Sequence, residues 1–148
     1  MLVTTCWAGS SGYGQASKLH PYIGGSLNFW GVSAPGWGID GGVKIGTWYA
    51  GAEYGRYGHE ITTVSLPAGE TYHPIYEDYY GAHGGAVIND LIYLGVTFLS
   101  SKDYYVDGRS NTWFNLGPDV RVQAWNRVLF ALAYTVRRGL DAGINILF

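Results

Sequence analysis

The chain is short of charge. Only 14% of its 148 residues are Asp, Glu, Lys or Arg, against about a quarter in an average soluble domain. Something other than a charged, water-facing surface is therefore expected over part of it. The formal net charge of −2 suggests no basic face for nucleic acid. Cys6 is the one cysteine, so no internal disulfide can form, and a single thiol does not report the redox compartment. No apolar run approaches the roughly 20 residues of a membrane-spanning helix. Helical periodicity of normal length is also missing. Such a chain crosses a bilayer only as a closed barrel, because lipid leaves no partner for an unpaired backbone N–H or C=O.

What the chain has is aromatic residues, glycine and a period of two. Aromatics reach 16%, with 13 tyrosines, 6 tryptophans and 23 glycines. The alternation is clearest at the end. Leu140, Ala142, Ile144, Ile146 and Phe148 alternate with Asp141, Gly143, Asn145 and Leu147. That stretch has the length and period of a tilted membrane strand. Upstream, Val128, Phe130, Leu132, Tyr134 and Val136 share one face, as do Phe114, Leu116, Pro118, Val120 and Val122. Pro118 predicts a bulge or a gap in the ladder there. Comparable alternation recurs around residues 22–29, 39–45, 48–57, 80–88 and 92–98. About eight strands result, joined by tight turns at Gly46-Thr47, Asn89-Asp90 and Trp125-Asn126, with long loops at 59–78 and 101–110. Short turns at one end and longer loops at the other suit an up-and-down barrel in a membrane.

The ionisable residues decide which face points inward. Asp40, Lys44, Glu53, His83, Asp119, Arg121 and Asp141 all fall on the polar face, within strands. Their charges have both signs and can pair in a narrow lumen, with Arg137 as a further cation. A lone charge in lipid costs several kcal/mol, about 2–4 for a midplane Arg or Lys. Glycine shares that face in nearly every strand, as a narrow interior filled by large Tyr and Trp requires. Trp30, Trp37, Trp48, Tyr79, Tyr80, Trp113, Trp125 and Phe148 lie near strand ends, where aromatic girdles form. The fold class is therefore all-β, an antiparallel up-and-down transmembrane barrel of about eight strands.

The segment 139–148 resembles the C-terminal strand signature of bacterial outer-membrane proteins, a terminal aromatic preceded by apolar residues at alternate positions. From about Ser17 to Phe148 the chain resembles the OmpA/OmpX-like eight-stranded barrels. The resemblance implies the bacterial outer membrane as location, with its lipid and lipopolysaccharide as surroundings. It also implies that the barrel-assembly machinery reads Leu140, Ala142, Ile144, Ile146 and Phe148. Residues 17–148 would form the barrel. Residues 1–16 read as a signal-peptide remnant, ending in the small residues Gly14-Gln15-Ala16, or as an N-terminal extension.

Candidate chemistry is thin. His59, Glu60, Glu70, His73, Glu77 and Asp78 lie near one another in sequence, but their spacing matches no metal motif, so neither metal nor cofactor is expected. A lipid-A-modifying enzyme is one alternative, since some barrels of this size carry a Ser-His-acid site. Here no Gly-x-Ser-x-Gly elbow occurs, and His83 points inward with no serine facing it. A soluble ligand-binding barrel is a second alternative, with the faces reversed. The preferred reading is a non-enzymatic barrel with a filled polar lumen and a structural or surface-interaction role, a subunit of an envelope complex being one form of it. Tyr72, Tyr76, Tyr104 and Tyr105 are the expected surface contacts to a protein partner, and Asp107-Gly108 reads as the tip of a projecting hairpin.

Overall fold

Strands that alternate large apolar and small or polar residues leave unpaired backbone groups at any open edge, and closure removes the edge. The computed structural model describes residues 18–30, 35–58, 74–105 and 110–148. Eight strands close into one barrel: β1 (Leu19–Trp30), β2 (Gly36–Ile45), β3 (Trp48–Gly58), β4 (Pro74–Ile88), β5 (Ile92–Tyr105), β6 (Ser110–Trp125), β7 (Val128–Thr135) and β8 (Gly139–Leu147). Each strand pairs antiparallel with its neighbour in sequence, and β1 closes on β8. The expected all-β, eight-stranded architecture is what the chain adopts.

Three tight turns and the chain end meet at one end of the barrel. Gly46 (φ 58°), Asn89 (φ 51°) and Asp90 (φ 57°) take the left-handed conformation that short hairpins need. Their residue types tolerate it, which explains why the turns were visible in sequence. The Phe148 amide donates to the Pro21 carbonyl and the Leu147 amide to that of Arg127, both at 2.8 Å. The opposite end is uneven. Strands β4, β5 and β6 run 15, 14 and 16 residues, whereas β7 and β8 run 8 and 9. Pairing of β5 with β6 continues to Tyr104↔Ser110, but that of β6 with β7 stops at Asp119↔Ala133. One side of the barrel thus stands above the other.

Several expectations need correction. The loops are shorter than 59–78 and 101–110, because β4 already begins at Pro74 and β5 continues to Tyr105. Tyr76, Tyr104 and Tyr105 are therefore strand residues rather than loop residues. Pro118 keeps its place opposite Val96 without a bulge; the gap it predicts falls on its other side, where the β7 ladder ends. A proline lacks the N–H that a second ladder would need. Tyr79 is fully buried inside the barrel rather than in a girdle, and Trp113 turns toward Asp103 on the inward face. The expectations for residues 1–16, for Tyr72 and for the Asp107-Gly108 tip lie outside the described residues, as do the side chains of Trp30 and Tyr105.

The interior is packed by tyrosine over glycine. Tyr57 and Tyr79 stack with ring centres 4.8 Å apart. A Cβ on Gly36 would fall on the Tyr57 ring, and one on Gly38 would fall on the Tyr79 hydroxyl. Glycine is needed at these places because the rings occupy the space where its side chain would stand. A second layer places Tyr22, Tyr49, Val87, Tyr93, Leu129 and Leu147 at the tight-turn end.

Candidate functional site

From the tight-turn layer to the level of Tyr57, Glu77 and Asp103 the lumen holds charge, and it follows one pattern. Arg121 on β6 donates to Asp40 on β2 at 2.6 Å and to Asp119 at 3.1 Å. Arg138, in the β7–β8 turn, donates to Glu53 on β3 at 3.0 Å and to Asp141 on β8. Arg137, next in that turn, reaches Glu77 on β4 at 3.5 Å and Asp103 on β5. Each guanidinium serves two carboxylates, and the three triads stack along the barrel axis. Planar guanidinium with its forked donors suits this bridging role better than a lysine would. Asn145 ties into the first triad, donating to Asp40 at 2.5 Å and accepting from Arg121 at 3.2 Å. Thr97 donates to Glu53 at 2.5 Å, and the Trp113 indole donates to Asp103 at 2.9 Å.

Of the expected lumen residues, the structure gathers Asp40, Asp119 and Arg121 in one triad and Glu53 and Asp141 in another. The partner of Glu53 and Asp141 is Arg138, not Arg137. Arg138 is buried, its side chain turned from the β7–β8 connection into the lumen. Lys44 does not join the triads; it pairs with Asp90 at the tight-turn end, at 2.6 Å. His83 meets the Tyr22 hydroxyl at 2.6 Å, and its ring lies near those of Tyr22 and Tyr49. Arg121 also lies over the Tyr22 ring, and Arg138 over that of Tyr79. Glu77 and Asp78, read in sequence as part of a loop of possible metal ligands, are strand residues held by Arg137 and Arg56. His59, Glu60, Glu70 and His73 lie outside the described residues.

The gap that remains among Asp40, Glu53, Asp119, Asp141, Arg121 and Arg138 measures about 20 Å³, room for about one water. We expect no large, stable single-channel conductance when the folded chain is added to planar bilayers. A steady open level of hundreds of picosiemens or more, on the order of porin channels, would contradict a filled barrel of this width.

The outside is ordered in the opposite sense. Register aligns four rows across β3, β4, β5 and β6. Ala52, Ala82, Phe98 and Leu116 form an apolar row, followed by Tyr54, Tyr80, Ser100 and Phe114. Arg56, Asp78, Lys102 and Thr112 come next, and Gly58, Tyr76, Tyr104 and Ser110 form the last. Among the described residues, the outward faces of the eight strands carry three charged side chains, and all three stand in the third row. Arg56 donates to Asp78 through Nε (2.6 Å) and Nη2 (3.1 Å). The rings of Tyr76 and Tyr104 stack at 4.7 Å. Arg56 lies 4.5 Å over the first and Lys102 5.2 Å over the second. The sequence conceals this row, because Asp78 and Lys102 read as loop residues there and become strand residues in the fold. Their even numbers, in step with Tyr80 and Phe98, were the signal available.

In the C-terminal strand, Leu140, Ile144, Ile146 and Phe148 are exposed on the outer surface and Ala142 shares their face. No protein-family model matches the chain, and neither does any curated protein. Solved structures do match. Neisserial surface protein A (NspA) is 12% identical with a TM-score of 0.46, over 88% of this chain and 96% of that one. Ail, the attachment invasion locus protein of Yersinia pestis, is 15% identical with a TM-score of 0.43, over 87% and 93%. Ail in complex with the heparin analogue sucrose octasulfate is 16% identical with a TM-score of 0.42, over 87% and 94%.

Proposed function

We propose that the chain is a bacterial outer-membrane barrel without enzymatic activity, acting as a structural or surface-interaction protein. The observation that carries the membrane reading is the distribution of charge. The outer face is apolar on every strand up to one charged row, while the triads fill the inside. A soluble barrel turns its apolar face inward, and here Ile23, Ile39, Val96, Leu132 and Ile144 are each half exposed or more. Outward aromatics support the same reading. Phe29, Trp37, Tyr80, Phe114 and Tyr134 lie toward the uneven end, with Trp48, Trp125 and Phe148 at the other. Amphipathic rings at two levels suit two membrane interfaces.

Unfolded chain diluted from urea into vesicles containing brominated lipid should acquire β-structure and lose tryptophan fluorescence through contact of Trp37, Trp48 and Trp125 with lipid. A folded, monodisperse monomer in plain buffer would instead make this a soluble barrel. The surface role draws support from the projecting side. Residues Ser110 to Leu116 of β6 have no β7 residue opposite them, and an open edge can accept a strand from a partner. The barrel-assembly machinery as reader of the last strand remains part of the same proposal.

A further inference from the structure

The charged row on the outside calls for an occupant. Eight strands present their outer faces, and chance would scatter three charged residues along them. Instead Arg56, Asp78 and Lys102 share one register level, next beyond the Tyr54 and Tyr80 level and below the Tyr76–Tyr104 stack. In a membrane the level just outside an aromatic girdle is that of lipid headgroups.

We propose that Arg56 and Lys102, with the stacked rings of Tyr76 and Tyr104, form a docking site for the phosphorylated sugar headgroup of a membrane glycolipid. This rests on the membrane reading above and adds the ligand's chemistry and place. Charge is the first reason. Asp78 engages Nε and Nη2 of Arg56, so Nη1 remains available among the described residues. Lys102 has no carboxylate partner among them, so all three of its ammonium protons can be donated. Asp78 also fixes the guanidinium, so little freedom is lost when an anion arrives. One cation stands on each side of Asp78, two strand spacings or about 10 Å apart. That separation suits a headgroup broader than a single phosphate. The second reason is the aromatic pair. Its ring faces are occupied by the two cations from the side of the row, and such cation–aromatic contacts hold long side chains in place. With the rings stacked on each other and overlain by the cations, the pair offers a sugar its two hydroxyls and ring edges.

The test is native mass spectrometry of the full chain folded in detergent, with bisphosphorylated lipid A as the probe. Dephosphorylated lipid A and phosphatidylglycerol serve as controls. The wild-type chain should retain the bisphosphorylated probe about tenfold or more over either control. K102Q should lose about tenfold of that retention, the effect of one charge-assisted hydrogen bond. R56Q/K102Q should lose more, and R127Q, in a turn at the far end, should lose nothing. K102Q leaves the Arg56–Asp78 pair intact, so its result stands even if the double variant folds poorly. Equal retention by wild type and K102Q would overturn the proposal, as would equal retention of phosphatidylglycerol. Failure of the chain to enter vesicles would instead overturn the membrane reading, so the two outcomes are distinguishable.

Discussion

Arg121→Met should destabilise the folded barrel by about 3–5 kcal/mol, the cost of removing one partner from a buried ion cluster. Asp40 and Asp119 would both lose their cation, and Asn145 would lose the donor to its carbonyl oxygen. Asp119 and Asn145 are essentially inaccessible to solvent, so water cannot replace the guanidinium. Equilibrium unfolding in urea, with the chain in vesicles, measures the loss. The triple variant R121M/D40N/D119N should recover much of it, because uncharged groups no longer need compensation. A loss under about 1 kcal/mol in the single variant would mean that the lumen is wet and the triads are screened, as exposed pairs are. The same reasoning extends to Arg138, whose partners Glu53 and Asp141 are also buried.

Ile144→Arg should impair insertion, at a cost of about 2–4 kcal/mol for a cation at the bilayer midplane. Ile144 is 52% exposed on the outer face, while Asn145 beside it is 0% exposed and belongs to the Arg121 triad. Asn145→Asp keeps the acceptor for Arg121 and replaces the bond donated to Asp40 by a contact between two carboxylates. Its charge stays inside the lumen, so the variant should still enter vesicles, with somewhat lower stability. Protease protection after refolding into vesicles compares the two. Insertion of Ile144→Arg as complete as that of Asn145→Asp would reverse the assignment of the faces.

Much of this fold was legible because strand geometry has a period of two. An inward residue and its outward neighbour differ in only one position, so the alternation of Leu140 to Phe148 already separates the faces. The turns were legible for a local reason too: Gly46, Asn89 and Asp90 are residues that accept positive φ. The ends of β4 and β5 were not. Glu77, Asp78, Lys102 and Asp103 look like solvated loop residues in sequence. They are strand residues because partners on other elements hold them: Arg137 pairs with the inward Glu77 and Asp103, and Arg56 with the outward Asp78.

What the sequence alone determined was which side chains enter the lumen and which face outward, since that follows from local alternation. The tertiary structure decided the partners. Asp40, Arg121 and Asn145 come from β2, β6 and β8, and Arg138 reaches Glu53 across the lumen from β3. Closure of β1 on β8 and the stagger of the strands set those meetings, and neither is encoded in any one segment. The charged row arises the same way. Arg56, Asp78 and Lys102 lie 22 and 24 residues apart in the chain, and only the pairing register of β3, β4 and β5 brings them to one level at the surface.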